Sequence, residues 1–98
     1  MKVVIIEDEL VAAQNMQLVL QEYDPNIEVL AVLRSVKKAV EWLSESLSQV
    51  DLLLMDIKLT DGISFDIFDQ VHIKKPIIFT TAYAEYAIRA FKVISVDY

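Results

Sequence analysis

The sequence contains no cysteine, which excludes a disulfide framework, a thiolate zinc site and a cysteine nucleophile, and fits a reducing, cytoplasmic setting. Glycine occurs once and proline twice, too rarely for a linker or a low-complexity tract. No apolar run approaches membrane-spanning length, and the apolar residues at positions 3–6 stop at Glu7-Asp8-Glu9, too soon for a secretory signal. Positive charge is scarce. Nine Lys and Arg stand against fifteen Asp and Glu, a net charge of −6, and such a surface repels phosphate backbones instead of releasing their counterions. The chain itself is therefore not expected to bind DNA or a membrane.

What is there is apolar bulk. With 55% hydrophobic residues in 98 positions, the chain can form one domain with a sizeable core and is too short for two. Short apolar runs at 3–6, 27–33, 52–55 and 77–80 alternate with longer segments of helical spacing, the rhythm of βαβ units and a parallel sheet. Near-continuous runs such as Leu52-Leu53-Leu54-Met55 suit strands buried on both faces. Ala12, Met16, Val19, Leu20 and Tyr23 predict one apolar stripe on a first helix, stopped by Asp24-Pro25-Asn26. Val36, Ala39, Val40, Leu43 and Leu47 repeat the spacing, with Ser35 placed to cap and with Lys37, Lys38, Glu41 and Glu45 facing water. Asp61-Gly62 signals a turn, and Phe65, Phe68 and Val71 predict a short helix to about His72. A further helix is expected over 84–92 and a beginning strand over 94–98. A sheet that stops on such a strand leaves apolar surface bare, so the domain is expected to lack the end of its fifth strand and a last helix. Trp42 is expected to be partly buried and His72, the single histidine, to face solvent.

In open α/β sheets, ligands sit beyond the carboxyl ends of the strands. Glu7 and Asp8 follow the first run and Asp56 the third, so neighbouring strands would gather three carboxylates in one crevice. Crowded carboxylates raise one another's pKa unless a cation neutralises them, and a small oxygen cluster favours Mg²⁺. Acidic residues also favour the positive N-terminal end of a helix, and spacing leaves the two explanations open for Glu7, Asp8 and Glu9. Asp56 is harder to explain blandly, because a carboxylate ending four apolar residues meets a desolvation cost unless something pairs with it. Thr80 and Thr81 end the fourth run, where a hydroxyl could reach the same crevice.

Three segments carry a resemblance. Val4-Ile5-Ile6-Glu7-Asp8-Glu9, Leu53-Leu54-Met55-Asp56-Ile57-Lys58-Leu59 with Asp61-Gly62, and Ile77-Ile78-Phe79-Thr80-Thr81-Ala82 together resemble the receiver domains of two-component response regulators. The segment from Thr81 to Phe91, followed by Val96-Asp97-Tyr98, is similar to the subgroup joined to LytTR-type DNA-binding domains. The resemblance covers the whole chain. It implies an α/β, flavodoxin-like (βα)5 receiver fold with strand order 2-1-3-4-5. It also implies that Asp56 takes a phosphoryl group from a sensor histidine kinase. Mg²⁺ would be held by Glu7, Asp8, Asp56 and the backbone carbonyl of Lys58. Thr81 matches the hydroxyl that bonds the new phosphoryl group, and Tyr98 the aromatic switch. The fourth-helix and fifth-strand face would then meet a partner or form a homodimer, and DNA contact would fall to a C-terminal domain outside these residues. Such a protein is a signalling phosphoacceptor and not an enzyme.

The chain departs from the pattern in three places. It ends at Tyr98, before the lysine receivers usually carry three residues later. Glu7 stands where aspartate is more frequent, and the loop from Asp56 to Gly62 is short and lacks a proline. Two other functions compete. A haloacid-dehalogenase-like phosphatase also uses an aspartate nucleophile and Mg²⁺, but expects a second acid where Lys58 stands. A pseudo-receiver would serve only as an interaction or dimerisation module, and then the crowded carboxylates have no evident purpose.

Overall fold

Val3, Val4, Ile5 and Ile6 are all fully buried, as only a strand flanked by neighbours and covered on both faces can be. The structure, a computed structural model, describes residues 1–80. The expected helix over 84–92, the expected strand over 94–98, and Thr81 and Tyr98 lie outside the described residues. The elements are β1 (Lys2–Ile6), α1 (Leu10–Tyr23), β2 (Glu28–Leu33), α2 (Val36–Ser46), β3 (Leu52–Met55), β4 (Lys58–Leu59), β5 (Gly62–Ile63), α3 (Phe65–Phe68) and β6 (Ile77–Phe79), with a 3₁₀ turn at Leu47–Gln49. Four of them form a parallel sheet in the order β2-β1-β3-β6. This is the receiver arrangement over the described residues, β6 being the fourth strand in the 2-1-3-4-5 order.

Successive side chains of a strand point to opposite faces, and the core divides accordingly. Val4, Ile6, Leu53, Met55, Ile77 and Phe79 join Val36, Ala39 and Leu43 of α2 and Ile67 of α3 in one cluster. Val3, Ile5 and Leu54 join Ala13, Met16 and Leu20 of α1 in the other. Ser35 caps α2 as its position suggested, accepting from the Lys38 N–H at 3.0 Å. Trp42 is half-buried and His72 exposed, both as expected. Among the described residues no helix is long and apolar enough to cross a membrane.

Two expectations need correction. Helix α1 faces the sheet through Ala13, Met16 and Leu20, whereas Val19 and Tyr23 are 63% and 86% exposed. Residues 12, 19 and 23 follow the same helical spacing as residues 13, 16 and 20, so periodicity does not distinguish the contact stripe from the one beside it. The helix predicted to reach His72 is a single turn, Phe65–Phe68. At its end the Gln70 N–H bonds the Ile67 carbonyl in a tighter turn, and the Gln70 side chain occupies the Asp66 carbonyl that the next helical bond would use.

The predicted turn at Asp61-Gly62 is the end of a small antiparallel ribbon. β4 and β5 pair through Lys58 with Ile63 and Leu59 with Gly62, leaving Thr60 and Asp61 at the tip. Gly62 has φ 151°, and a Cβ there would lie 2.8 Å from Asp66 Oδ2, so the position requires glycine.

Candidate acidic site

The ladder of the sheet builds the site. Beyond the strand ends, the Glu7 N–H bonds the Leu33 carbonyl (3.0 Å), the Asp56 N–H bonds the Ile6 carbonyl (2.9 Å) and the Thr80 N–H bonds the Met55 carbonyl (3.0 Å). These bonds set Glu7, Asp56 and Thr80 side by side along the carboxyl edge. Carboxylate oxygens of Glu7, Asp8 and Asp56 all lie within 4.8 Å of one another. The structure thus brings together three of the residues predicted from sequence. Lys58 begins the ribbon two residues after Asp56, with its side chain exposed.

Glu7 is the buried member, 6% exposed, and its Oε2 has no hydrogen-bond partner. Its pKa is pushed up to about 8, first by burial, then by the hydrogen bond it shares with Asp56, then by the negative charges of Asp56, Asp8 and Glu9. Without a cation, this arrangement favours the protonated form of Glu7. The helix-end explanation does not account for that burial. Glu9, at the N-cap of α1, makes no side-chain capping bond, and the first turn of α1 carries no acidic residue.

Asp56 is half-buried, and its Oδ1 accepts from the Ile57 N–H at 2.8 Å. Asp8 is held from two directions. Its Oδ2 accepts from Thr60 Oγ1 at 3.2 Å, and its backbone carbonyl accepts from Arg34 Nε and Nη2 at 3.2 and 3.0 Å. Arg34 and Thr60 were not singled out from sequence. Arg34 had a signal, since a residue just past β2 must arrive beside the end of β1 once those strands pair. Asp61, expected only to turn the chain, accepts from the Val36 and Lys37 N–H groups at 2.7 and 3.1 Å, which lowers its pKa below the usual carboxylate value.

The donors are oxygens alone, one is buried without a partner, and their spacing suits a small hard cation. An open parallel α/β domain with a compact acidic site at the carboxyl edge of its sheet is therefore the class that fold and site define. The chain belongs to the family described as response regulator receiver domain, which matches residues 3–98.

Its relatives narrow the group. Sensory transduction protein LytT of Enterococcus faecalis is 36% identical over 101 residues, covering all of this chain and 40% of that protein. Transcriptional regulatory protein LytR of Staphylococcus aureus is 32% identical over 101 residues, with the same coverage. The chain thus spans about 40% of the length of these relatives. Among solved structures, the response regulatory domain of protein mrkE from Klebsiella pneumoniae is 27% identical, with a TM-score of 0.78 over 98% of this chain and 80% of that one. In the CheX–CheY–BeF3–Mg complex from Borrelia burgdorferi, the matched chain has a TM-score of 0.80 over 98% of this chain and 73% of that one. At 12% identity, that likeness concerns the fold alone.

Proposed function

We propose that the chain is the phosphoacceptor of a two-component regulator, with Asp56 receiving a phosphoryl group from a phosphohistidine on a sensor histidine kinase. The observation that carries this reading is the cluster of Glu7, Asp8 and Asp56 oxygens within 4.8 Å, with one oxygen of Glu7 buried and unpartnered. Asp56 is assigned as the nucleophile by its match to the receiver pattern, Glu7 being buried and Asp8 bonded by Thr60. A carboxylate oxygen of Asp56 bonds to phosphorus as the phosphorus–nitrogen bond breaks, the electron pair staying on the ring nitrogen, which takes a proton from solvent. The product is an acyl phosphate on Asp56.

Glu7, Asp8, Asp56 and the backbone carbonyl of Lys58 would hold Mg²⁺. When bound, it supplies charge neutralisation to the transferring phosphoryl group, the main demand this reaction makes on a protein. The chain's own residues position the acceptor. The Ile57 N–H fixes one Asp56 oxygen, and Thr60 and Arg34 fix Asp8.

Downstream, as the receiver resemblance implies, the added negative charge would draw in the Thr81 hydroxyl and let Tyr98 rotate, changing the face expected from the helix over 84–92 and the strand over 94–98. That face would meet a partner or a second copy and control a C-terminal, LytTR-type DNA-binding output in a cytoplasmic transcription regulator. The similarity to a sensory transduction protein, LytT, and a transcriptional regulatory protein, LytR, supports the transcription-regulatory part of this reading. We read the domain as a switch, and Lys58, standing where an aspartate-nucleophile phosphatase needs its second acid, speaks against that alternative.

The test is the intact mass of the full-length protein after incubation with acetyl phosphate and Mg²⁺, beside Asp56→Asn. One added phosphoryl group in the parent only is expected. Uptake by the variant would overturn Asp56 as acceptor, and no uptake by the folded parent would favour a pseudo-receiver.

A further inference from the structure

Three connections meet around the acidic cluster, and side-chain bonds close them into a ring. Arg34, between β2 and α2, donates twice to the Asp8 carbonyl. Asp8 accepts from Thr60 at the ribbon tip. Asp61, the next residue of that tip, returns to the start of α2 by accepting from Val36 and Lys37.

The first N–H groups of a helix have no partner within it. In α2 they are divided between two caps. Ser35 takes the Lys38 N–H and Asp61 takes the other two, from 25 and 24 residues further along the chain. Ser35 alone would serve an ordinary cap, so Asp61 adds a tether between α2 and the ribbon that starts two residues after Asp56. Gly62 supplies the positive φ that the tip needs, and the bond from Ile63 N–H to Asp66 Oδ2 holds its other side.

We propose that Asp61 is a positioning residue for the metal site. By tethering the ribbon to α2, it holds Thr60 against Asp8 and so fixes the direction of the Asp8 carboxylate. This rests on the phosphoacceptor reading, which supplies the cation, and adds to it a residue that touches neither cation nor phosphoryl group. Hydrogen-bond partners of metal ligands commonly change metal affinity by about 10–100-fold when removed. Thr60 and Asp61 are exposed, so the lower end of that range applies.

The experiment compares Asp61→Ala with Ser35→Ala in the full-length protein, since both remove bonds to the same helix end but only one tethers the ribbon. Mg²⁺ affinity is measured by calorimetric titration and stability by thermal melting. Asp61→Ala is expected to weaken Mg²⁺ binding about tenfold, while Ser35→Ala lowers the melting temperature and leaves affinity within about twofold. Adding Thr60→Val to Asp61→Ala is expected to weaken binding little further, because both changes break one chain of contacts.

Equal Mg²⁺ affinity in the two single variants overturns the positioning role, as does full additivity with Thr60→Val. Should Asp61→Ala fail to fold, Asp61→Asn decides, since it keeps an acceptor and is expected to lose only part of the affinity; an unchanged affinity there counts against the proposal. A folded parent that takes up neither Mg²⁺ nor a phosphoryl group overturns the phosphoacceptor reading itself, whereas a parent that does both with an unaffected Asp61→Ala overturns only this one.

Discussion

Arg34 grips the backbone carbonyl of Asp8 with two donors, Nε at 3.2 Å and Nη2 at 3.0 Å, and so locks the β1–α1 connection to the end of β2. The fork geometry is specific to arginine, because a lysine ammonium cannot present two fixed, parallel donors to one oxygen. Arg34→Lys is therefore expected to behave like Arg34→Ala. Each should lower stability by about 1 kcal/mol, the usual net contribution of such a bond. Urea denaturation of both variants beside the parent checks this, and full retention of stability by Arg34→Lys would show that charge alone suffices.

Glu7 makes stability depend on pH in the direction opposite to that of most carboxylates. Its pKa rises from an ordinary 4.5 unfolded to about 8 folded, so between those values the folded state holds the extra proton. Stability therefore falls as pH rises from about 5 to about 8 in metal-free buffer. Glu7→Gln has no proton to lose, and its stability relative to the parent should increase across that window. Mg²⁺ is expected to restore the parent at the alkaline end and to release protons on binding near neutral pH, measurable as a buffer-dependent heat.

The sheet and the acidic cluster were legible in the sequence for one reason. Buried parallel strands announce themselves as unbroken apolar runs, and the residue that ends such a run must appear at the carboxyl edge. Glu7, Asp8 and Asp56 follow from that, once β1 and β3 are neighbours. Less local relationships were not legible. Two stripes of equal spacing compete on α1, and only packing selects Ala13, Met16 and Leu20 over Val19 and Tyr23. Asp61 reaches a helix end 25 residues away, and the pairing of β4 with β5 that aims it there leaves in the sequence only the Asp61-Gly62 turn signal.

Ser64 presents a polar group with nothing to do. It is fully buried, its Oγ has no partner among the described residues, and it does not cap α3 although it stands at the N-cap. Its backbone is well used, with the N–H bonded to the Ile57 carbonyl at 2.7 Å and the carbonyl accepting from Ile67 at 2.9 Å. Ser64→Ala keeps those bonds and removes an unsatisfied hydroxyl, so stability is expected to rise by about 1 kcal/mol. A loss of stability in urea denaturation would show that the hydroxyl has a partner in solution.

Asp56→Asn links the site's electrostatics to its chemistry. Asp56 contributes both a hydrogen bond and a negative charge to the elevation of the Glu7 pKa. The amide removes the charge, and its NH₂ can donate to Glu7, which favours the ionised carboxylate. The variant is therefore expected to lose phosphoryl uptake, to bind Mg²⁺ more weakly for want of one oxygen anion, and yet to be more stable than the parent in metal-free buffer near pH 8. Its Glu7 should titrate below the parent's, visible in the carboxyl carbon shifts of the two proteins. A variant less stable than the parent under those conditions would mean that Asp56 does not act on Glu7 as a like charge. Gain of stability with loss of phosphorylation is the signature of a site whose crowding serves the cation and the phosphoryl group at a cost to the fold.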